Sequence, residues 1–254
     1  MNEPINPSLK PLYLLECFTL QKPNLTLSNI QKSTLIPKST VFRLLKALTA
    51  ENYLKYDPER WQYRLGPRVL SLGFTVLQNM EAREIARPYL ESLSRELNRS
   101  TSILMLYEHE VIYIDRIRVP SLRDFNISVG SRIPVYNTAA GRAILAHIEE
   151  PKLRKVIERL KNDTRSDEYI GKGGSRLLKC LADVKKHGYA INDQESIKGV
   201  RAIAVPVFSS SEDIYSMSVV VPPEEVTVKD LKTIYAPRLM EVGKEVSGAL
   251  GHYR

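Results

Sequence analysis

Over residues 9–50 the apolar positions recur at intervals of three and four, and from residue 100 onward they alternate or form short runs, so the chain reads as helical first and mixed afterwards. Leu12, Leu15 and Thr19, with Leu14 and Phe18 beside them, mark one side of a helix over residues 9–20, and Lys22-Pro23-Asn24 breaks it. Thr26 or Ser28 can cap a short second helix running through Ile30. A turn then leads to a third helix, in which Val41, Leu44, Leu45 and Leu48 fall at i, i+3, i+4 and i+7 as one dry stripe. Pro37 suits the first position of that helix, because its missing N–H would be unpaired there anyway. Three helices in this order, the last polar on one face, predict a helix-turn-helix. Tyr53-Leu54-Lys55-Tyr56 and Gln62-Tyr63-Arg64-Leu65 then alternate as strands around a turn at Asp57-Pro58-Glu59-Arg60. That hairpin is a wing, with Trp61 expected to pack under it.

Gly66-Pro67 opens a helix whose Val69, Leu70, Leu72, Phe74, Val76, Leu77 and Met80 leave little polar face. A helix apolar nearly all round must be covered, and the same helix of a second chain is the expected cover. An amphipathic helix over 84–97, bent at Pro88, opens the second domain. Strands are expected over 102–107, 111–119 and 123–129, and helices over 138–148, 150–160 and 175–187. Strands follow over 189–193, 202–208 and 215–221, then a last helix from Thr227, capped with Asp230 and bent at Pro237, with Leu231, Ile234, Val242, Val246 and Leu250 on its buried side. The organisation is therefore two-domain: a winged helix-turn-helix over residues 1–73, a linker helix segment over 74–82, and an α+β sensor-like domain of one sheet flanked by helices over 83–254.

Charge sharpens the first domain. Of the chain's net +8, residues 1–73 hold 10 Lys+Arg against 5 Asp+Glu, so the basic excess is concentrated where the helix-turn-helix lies. Outside the dry stripe the third helix carries Lys38, Ser39, Thr40, Phe42, Arg43 and Lys46, with no acid among them. That face suits a negatively charged, hydrogen-bonding groove, and Arg60 and Arg64 on the wing can reach phosphates beside it. The bland alternative for a lone basic helix is a solvated face; the wing and the charge asymmetry argue against it. Cys17 and Cys180 lie far apart with no Cys-x-x-Cys, so neither a disulfide framework nor a cysteine zinc site is signalled. No basic segment followed by an apolar run opens the chain and no stretch of about 18 apolar residues occurs, so a cytoplasmic protein is expected, with no membrane partner.

An enzyme would need its machinery in the second domain, where candidates are thin. His109 falls in a hairpin turn, His147 at a helix end and His187 before Gly188, all positions that suit surface or dipole-complementing histidines. Gly171-Lys172-Gly173-Gly174 lacks the strand and the Lys-Ser/Thr of a P-loop, and Asp193 and Glu195 have no third ligand to define a metal site. No cofactor or metal is expected. Thr138-Ala139-Ala140-Gly141 starts a helix with tiny side chains. Either a ligand anion approaches its free N–H groups, or the small residues only allow close helix–sheet packing. Three functions stay open: a DNA-binding regulator with a small-molecule pocket, an enzyme acting on a small carbonyl or acid compound, and an RNA-binding regulatory protein, the last disfavoured because no stacking aromatic sheet is present.

Residues 26–73, in particular Ile36-Pro37-Lys38-Ser39-Thr40-Val41-Phe42-Arg43-Leu44-Leu45, Asn52-Tyr53-Leu54 and Tyr63-Arg64-Leu65-Gly66-Pro67, resemble the winged helix of the isocitrate-lyase-regulator (IclR) family of bacterial transcription factors. Gly130-Ser131-Arg132-Ile133-Pro134, Thr138-Ala139-Ala140-Gly141-Arg142-Ala143 and Gly199-Val200-Arg201-Ala202-Ile203-Ala204-Val205-Pro206-Val207 extend the resemblance over nearly the whole chain. Phe42 departs from it, standing where the family usually has His or Tyr; a phenyl ring can touch a thymine methyl but cannot hydrogen-bond. The resemblance implies a GAF/profilin-like effector domain, a homodimer or tetramer on a palindromic operator in double-stranded DNA, and a small organic-acid effector. By position it implies a pocket of Ala139, Ala140, Gly141, Asn192, Asp193, Val200, Ala202, Val219 and Val221. Val219 and Val221 stand where some members place Ser and Ala202 where Cys is frequent, implying an apolar wall suited to an aromatic carboxylate. Gly130-Ser131-Arg132-Ile133-Pro134-Val135-Tyr136, Gly141-Arg142 and Asp193-Gln194-Glu195 are similar to the subgroup that regulates protocatechuate and 4-hydroxybenzoate breakdown.

Overall fold

The structure, a computed structural model, describes residues 6–120, 127–211 and 213–252. It divides into two compact units, Met1–Asn79 and Met80–Arg254.

In the first unit a short 3-10 turn, Pro7–Leu9, leads into α1 (Lys10–Glu16), ahead of the Pro23 breaker. After β1 (Leu25–Thr26), α2 (Leu27–Thr34) starts on a reciprocal cap: the Asn29 N–H donates to Thr26 Oγ1 at 3.2 Å while the Thr26 N–H donates to Asn29 Oδ1 at 3.0 Å. It ends at Leu35, left-handed at φ 57°, and α3 (Lys38–Ala50) begins one residue after Pro37, which serves as the capping residue rather than as the first helical one. Val41 and Leu45 are fully buried with Leu14, Ile30, Ile36 and Leu54, and Leu44 and Leu48 flank them, so the helical stripe forms the floor of the unit's core. Wing strands β2 (Leu54–Asp57) and β3 (Gln62–Leu65) pair antiparallel, with β1 added on the far side of β3. Trp61 does not pack beneath them: it is 73% exposed at the turn, held there with φ 54°. Gly66 follows the wing, where a Cβ would lie 2.2 Å from the Asn52 carbonyl oxygen, and α4 (Pro67–Gln78) completes the unit.

The second unit opens with α5 (Glu81–Leu97), one helix running through Pro88, with Ala82, Ala86, Leu90 and Leu93 on its buried side. A six-stranded antiparallel sheet follows: β4 (Ser100–Tyr107), β5 (Glu110–Ile117), β6 (Arg132–Pro134), β7 (Ala190–Asp193), β8 (Arg201–Phe208) and β9 (Ile214–Val221), in the spatial order β6-β5-β4-β9-β8-β7. The strand expected over 123–129 lies partly outside the described residues; residues 127–129 are not strand, and Arg132–Pro134 pairs with β5 in its place.

Each sheet face has its own core, because alternate residues point to opposite sides. One face, with Ile103, Ile203, Val205, Met217, Val219 and Val221, packs on α5 and the C-terminal helix. The other, with Leu104, Val111, Ala190 and Ala204, packs on α6 (Ala139–Leu145) and on helices that include α7 (Glu150–Leu160), α8 (Asp167–Ile170) and α9 (Ser175–His187). Thr227 and Asp230 form the expected cap at α10 (Val228–Asp230), which runs through a π turn, Leu231–Tyr235, into α11 (Ala236–Ala249). Pro237 explains the π turn: without an N–H, and with a ring that crowds the preceding turn, it forces a wider loop of backbone. The extra residue shifts the helical phase, so Tyr235 is buried and Ile234, expected inside, is exposed. No helix of the described residues is long and apolar enough to cross a membrane.

Candidate functional sites: a basic helix face and a cavity above the sheet

With Val41 and Leu45 anchoring α3 inward, Lys38, Ser39, Phe42, Arg43 and Lys46 are exposed, Thr40 is half-buried, and Arg60 and Arg64 are exposed on the wing. Among the described residues no carboxylate lies within ion-pair distance of Lys38, Arg43, Lys46, Arg60 or Arg64; the neighbouring pair joins Arg68 to Glu51 at 2.8 Å. Five uncompensated cations with two hydroxyls and a ring between them can contact phosphates and base edges together. On α4, Leu70, Leu72, Phe74 and Val76 are exposed, Leu70 by 73%, and Leu77 is half-buried.

The second unit encloses a cavity of about 290 Å³ above the α6 face of the sheet. Its walls are Ile127, Ile133, Pro134, Ala139, Ala140, Ile197, Val200, Ala202 and Val220, closed by the rings of Tyr113 and Tyr136. Arg116, Asn137, Thr138, Asn192, Ser196 and Ser218 supply the polar lining, with one cation and no acid among the described lining residues. The Arg116 guanidinium lies 5.7 Å from the centroid of the Tyr113 ring, and burial pushes the Tyr113 phenol above its ordinary pKa.

Of the sequence-derived pocket residues, Ala139, Ala140, Asn192, Val200 and Ala202 line this cavity. Four do not. Val219 and Val221 point into the opposite core with Ile203, and their neighbours Ser218 and Val220 face the cavity; a one-residue slip on a strand reverses every side chain. The wall there is correspondingly less apolar, since Ser218 replaces an expected valine. Asp193 lies on that same far side, paired with Arg201 Nη2 at 2.8 Å, and Arg201 holds its carboxyl below the ordinary value. Gly141 is packed against backbone: a Cβ there would meet Val135 Cα at 2.3 Å, and its N–H donates to Thr138 Oγ1 at 3.2 Å instead of staying free for a ligand. The small residues of this helix start thus serve both readings, Gly141 for packing and Ala139 and Ala140 for the cavity.

Tyr113, Arg116, Tyr136, Asn137, Ser196, Ile197 and Ser218 were not singled out in the sequence. Alternation along β5 and β9, read in the correct register, would have found the strand members. The segment over 194–200 is tied down by its own bonds, Gln194 N–H to the Val200 carbonyl at 2.9 Å and Gly199 N–H to Gln194 Oε1 at 3.2 Å. It is held from outside by Arg142, whose Nη1 donates to Glu195 Oε1 at 2.8 Å, and by the Tyr169 hydroxyl, which donates to the Glu195 carbonyl at 3.0 Å. Among the described residues no group of His, Cys, Asp and Glu could hold a metal. None of His109, His147 and His187 lines the cavity; His147 and His187 set Nδ1 against backbone carbonyls of their own helical turns.

Comparison with known proteins gives a family match over each part of the chain. Residues 10–58 match the IclR helix-turn-helix domain, and residues 74–248 match the bacterial transcriptional regulator IclR C-terminal domain. The chain is 30% identical over 244 residues to the HTH-type transcriptional regulator XynR of Escherichia coli (strain K12), covering 96% of each. It is 30% identical over 237 residues to the Pca regulon regulatory protein of Pseudomonas putida, covering 92% of this chain and 80% of that one. An IclR homolog from Microbacterium hydrocarbonoxydans, solved with 4-hydroxybenzoate, superposes with a TM-score of 0.74 at 22% identity, covering 97% of this chain and 99% of that one.

Proposed function

The chain belongs to the IclR family of DNA-binding transcriptional regulators, and from that premise we propose that a small organic acid held in the second unit's cavity sets the affinity of α3 and the wing for an operator. The observation that carries the effector reading is the lining of the cavity: among the described residues, apolar walls and two tyrosine rings around the Arg116 guanidinium, with no acid. Such a lining suits a flat apolar body bearing a carboxylate. The homolog solved with 4-hydroxybenzoate and the Pseudomonas putida relative named for a regulon make an aromatic carboxylate the first class to test.

On DNA, Arg43 is assigned to a base edge and Lys38 to a phosphate, with Ser39, Thr40, Phe42 and Lys46 beside them and Arg60 and Arg64 on flanking phosphates. The exposed apolar face of α4 is assigned to a second copy, giving a dimer, or a tetramer built from two, on an approximately palindromic site. The protein works in the cytoplasm as a sensor and turns nothing over. Coupling runs from ligand to the second unit, to the α4 pairing, to the spacing of the two recognition helices.

A thermal-shift screen over organic acids tests the effector reading. An acid at 100 times its dissociation constant should stabilise the protein by roughly 2.7 kcal/mol. An aromatic carboxylate that stabilises without chemical change supports the sensor; appearance of product would replace it with the enzyme reading.

A further inference from the structure

Trp61 is the chain's single tryptophan, and it stands at the tip of the wing 73% exposed with φ 54°. A bulky side chain is rarely held in the left-handed region, and a ring left in water contributes little through burial. Glycine would relieve the backbone at no steric cost. Strain kept at so exposed a position points to a role outside the folded chain.

The tip is built to hold that ring still. Asp57 Oδ1 accepts the N–H groups of Glu59 at 3.0 Å and Arg60 at 3.2 Å, which sets the turn. Behind it Tyr56 faces Tyr63 across the strands, ring centroids 4.7 Å apart, and β1 braces the outer side of β3. On the opposite face of the hairpin Lys55 lies directly across from Arg64, both exposed. Like charges so placed repel each other, and a polyanion laid over them removes the cost. Arg60 adds a cation next to Trp61; of the hairpin's acids, Asp57 is engaged in the turn and Glu59 is exposed.

The chemistry of the ring selects the groove. Indole carries one donor, Nε1–H, and no acceptor. In the minor groove an A·T pair offers only acceptors, adenine N3 and thymine O2, in either orientation, whereas G·C adds the guanine 2-amino group, which opposes a donor and blocks a ring. With α3 in the major groove, the groove across the flanking phosphates is the minor one. Resting on the assignment of α3 and the wing to DNA, we propose that Trp61 enters that minor groove, its ring packed against the sugar walls and Nε1 donating to an A·T pair. The wing thereby selects A·T over G·C at a position outside the base pairs that α3 reads.

A single tryptophan makes the test direct. The full chain is titrated with a fragment selected from random DNA by the wild-type protein, with gel shift reporting the complex and tryptophan emission reporting the wing. In the complex Trp61 should lose most of the acrylamide quenching seen in the free protein. Base pairs flanking the α3 contacts are then set one at a time to A·T, G·C and inosine·C, the last showing the guanine pattern in the major groove without the 2-amino group in the minor. At a flanking pair G·C is expected to bind about fivefold more weakly than A·T, with inosine·C matching A·T. Trp61→Phe keeps a ring without the N–H and should shrink that preference to about twofold or less. The wild-type series stands by itself should the variant fold poorly. Unchanged acrylamide quenching in a complex that the gel shift shows to form overturns the wing contact and leaves the DNA reading intact. No flanking pair that separates A·T from G·C, inosine·C behaving as G·C, or a preference kept in full by Trp61→Phe does the same. A selection that enriches no sequence and yields no complex overturns the DNA reading, and the wing contact with it.

Discussion

Arg142 and Glu195 meet through two parallel N–H···O bonds, one of them 2.8 Å long, joining the buried helix α6 to the segment that forms one wall of the cavity. Arg142 is 7% exposed, and its Nε donates to the Tyr136 carbonyl at 2.9 Å. Burial is the largest influence and works against its charge, but the Glu195 hydrogen bonds together with the electrostatic influence of Cys180, Glu195 and Tyr169 outweigh it, so its pKa lies above the ordinary value. The pair therefore fixes the wall carrying Ser196, Ile197 and Val200 against the helix carrying Ala139 and Ala140.

Removing one partner should loosen that wall. Glu195→Gln leaves a buried guanidinium with a poorer acceptor, for an expected loss of about 1–3 kcal/mol. Urea unfolding measures the loss, and titration with an aromatic acid should give an affinity lowered about tenfold, since 1.4 kcal/mol is a factor of ten. Unchanged stability and affinity together would mean the pair holds nothing the ligand feels.

The DNA face separates readers from anchors. Against a fragment selected by the wild-type protein from random DNA, Arg43→Ala should cost roughly 1–3 kcal/mol and relax one base position, whereas Lys38→Ala should weaken all sequences alike and reduce the salt slope by about 1. Unchanged footprinting protection with Arg43→Ala would remove α3 as the reader.

Assembly is checked on α4. Leu70→Glu with Phe74→Glu places two charges on a face that is exposed in the single chain, so the fold should be kept and self-association lost. Analytical ultracentrifugation at micromolar concentration should show wild type as a dimer or larger and the double variant as a monomer. A monomeric wild type would contradict the assembly.

Acid stability follows from Asp193. Its carboxyl is held below the ordinary value of 3.8, first by the hydrogen bond from Arg201, so the unfolded chain takes up this proton before the folded one does. Its contribution is complete above 3.8 and fades as the pH falls through the lowered folded value. Asp193→Asn should thus destabilise at about pH 7 and make the decline toward about pH 3 shallower in urea unfolding. An identical pH dependence in the variant would contradict the assignment.

Which parts of this were legible in the sequence depends on the period each carries. The α3 stripe was readable because Val41, Leu44, Leu45 and Leu48 fix a helical face over several turns, and that face leaves Lys38, Arg43 and Lys46 outside whatever the tertiary packing. The Thr227–Asp230 cap was readable because it is local. Ile234 was misplaced because a π turn changes the period without any signal except Pro237. Val219 and Val221 were misplaced because β9 is nearly continuous in apolar residues, buried on both faces, so its own pattern does not say which side is which; Ser216 and Ser218 carry the phase. Asn137, Arg116 and Ser196 line one cavity only through sheet order and the α6 crossing, which no local period encodes.

The most direct test of the account is a titration of wild type and Ala140→Leu with an aromatic carboxylate, glyoxylate and pyruvate. Ala140 lines the cavity on a helix that tolerates leucine, so the variant should fold, keep near-normal DNA affinity without ligand, and lose ligand binding. Wild type should bind the aromatic acid more tightly than either short acid. Binding of the short 2-oxo acids with no aromatic binding would contradict the effector class, and unchanged binding in Ala140→Leu would contradict the site.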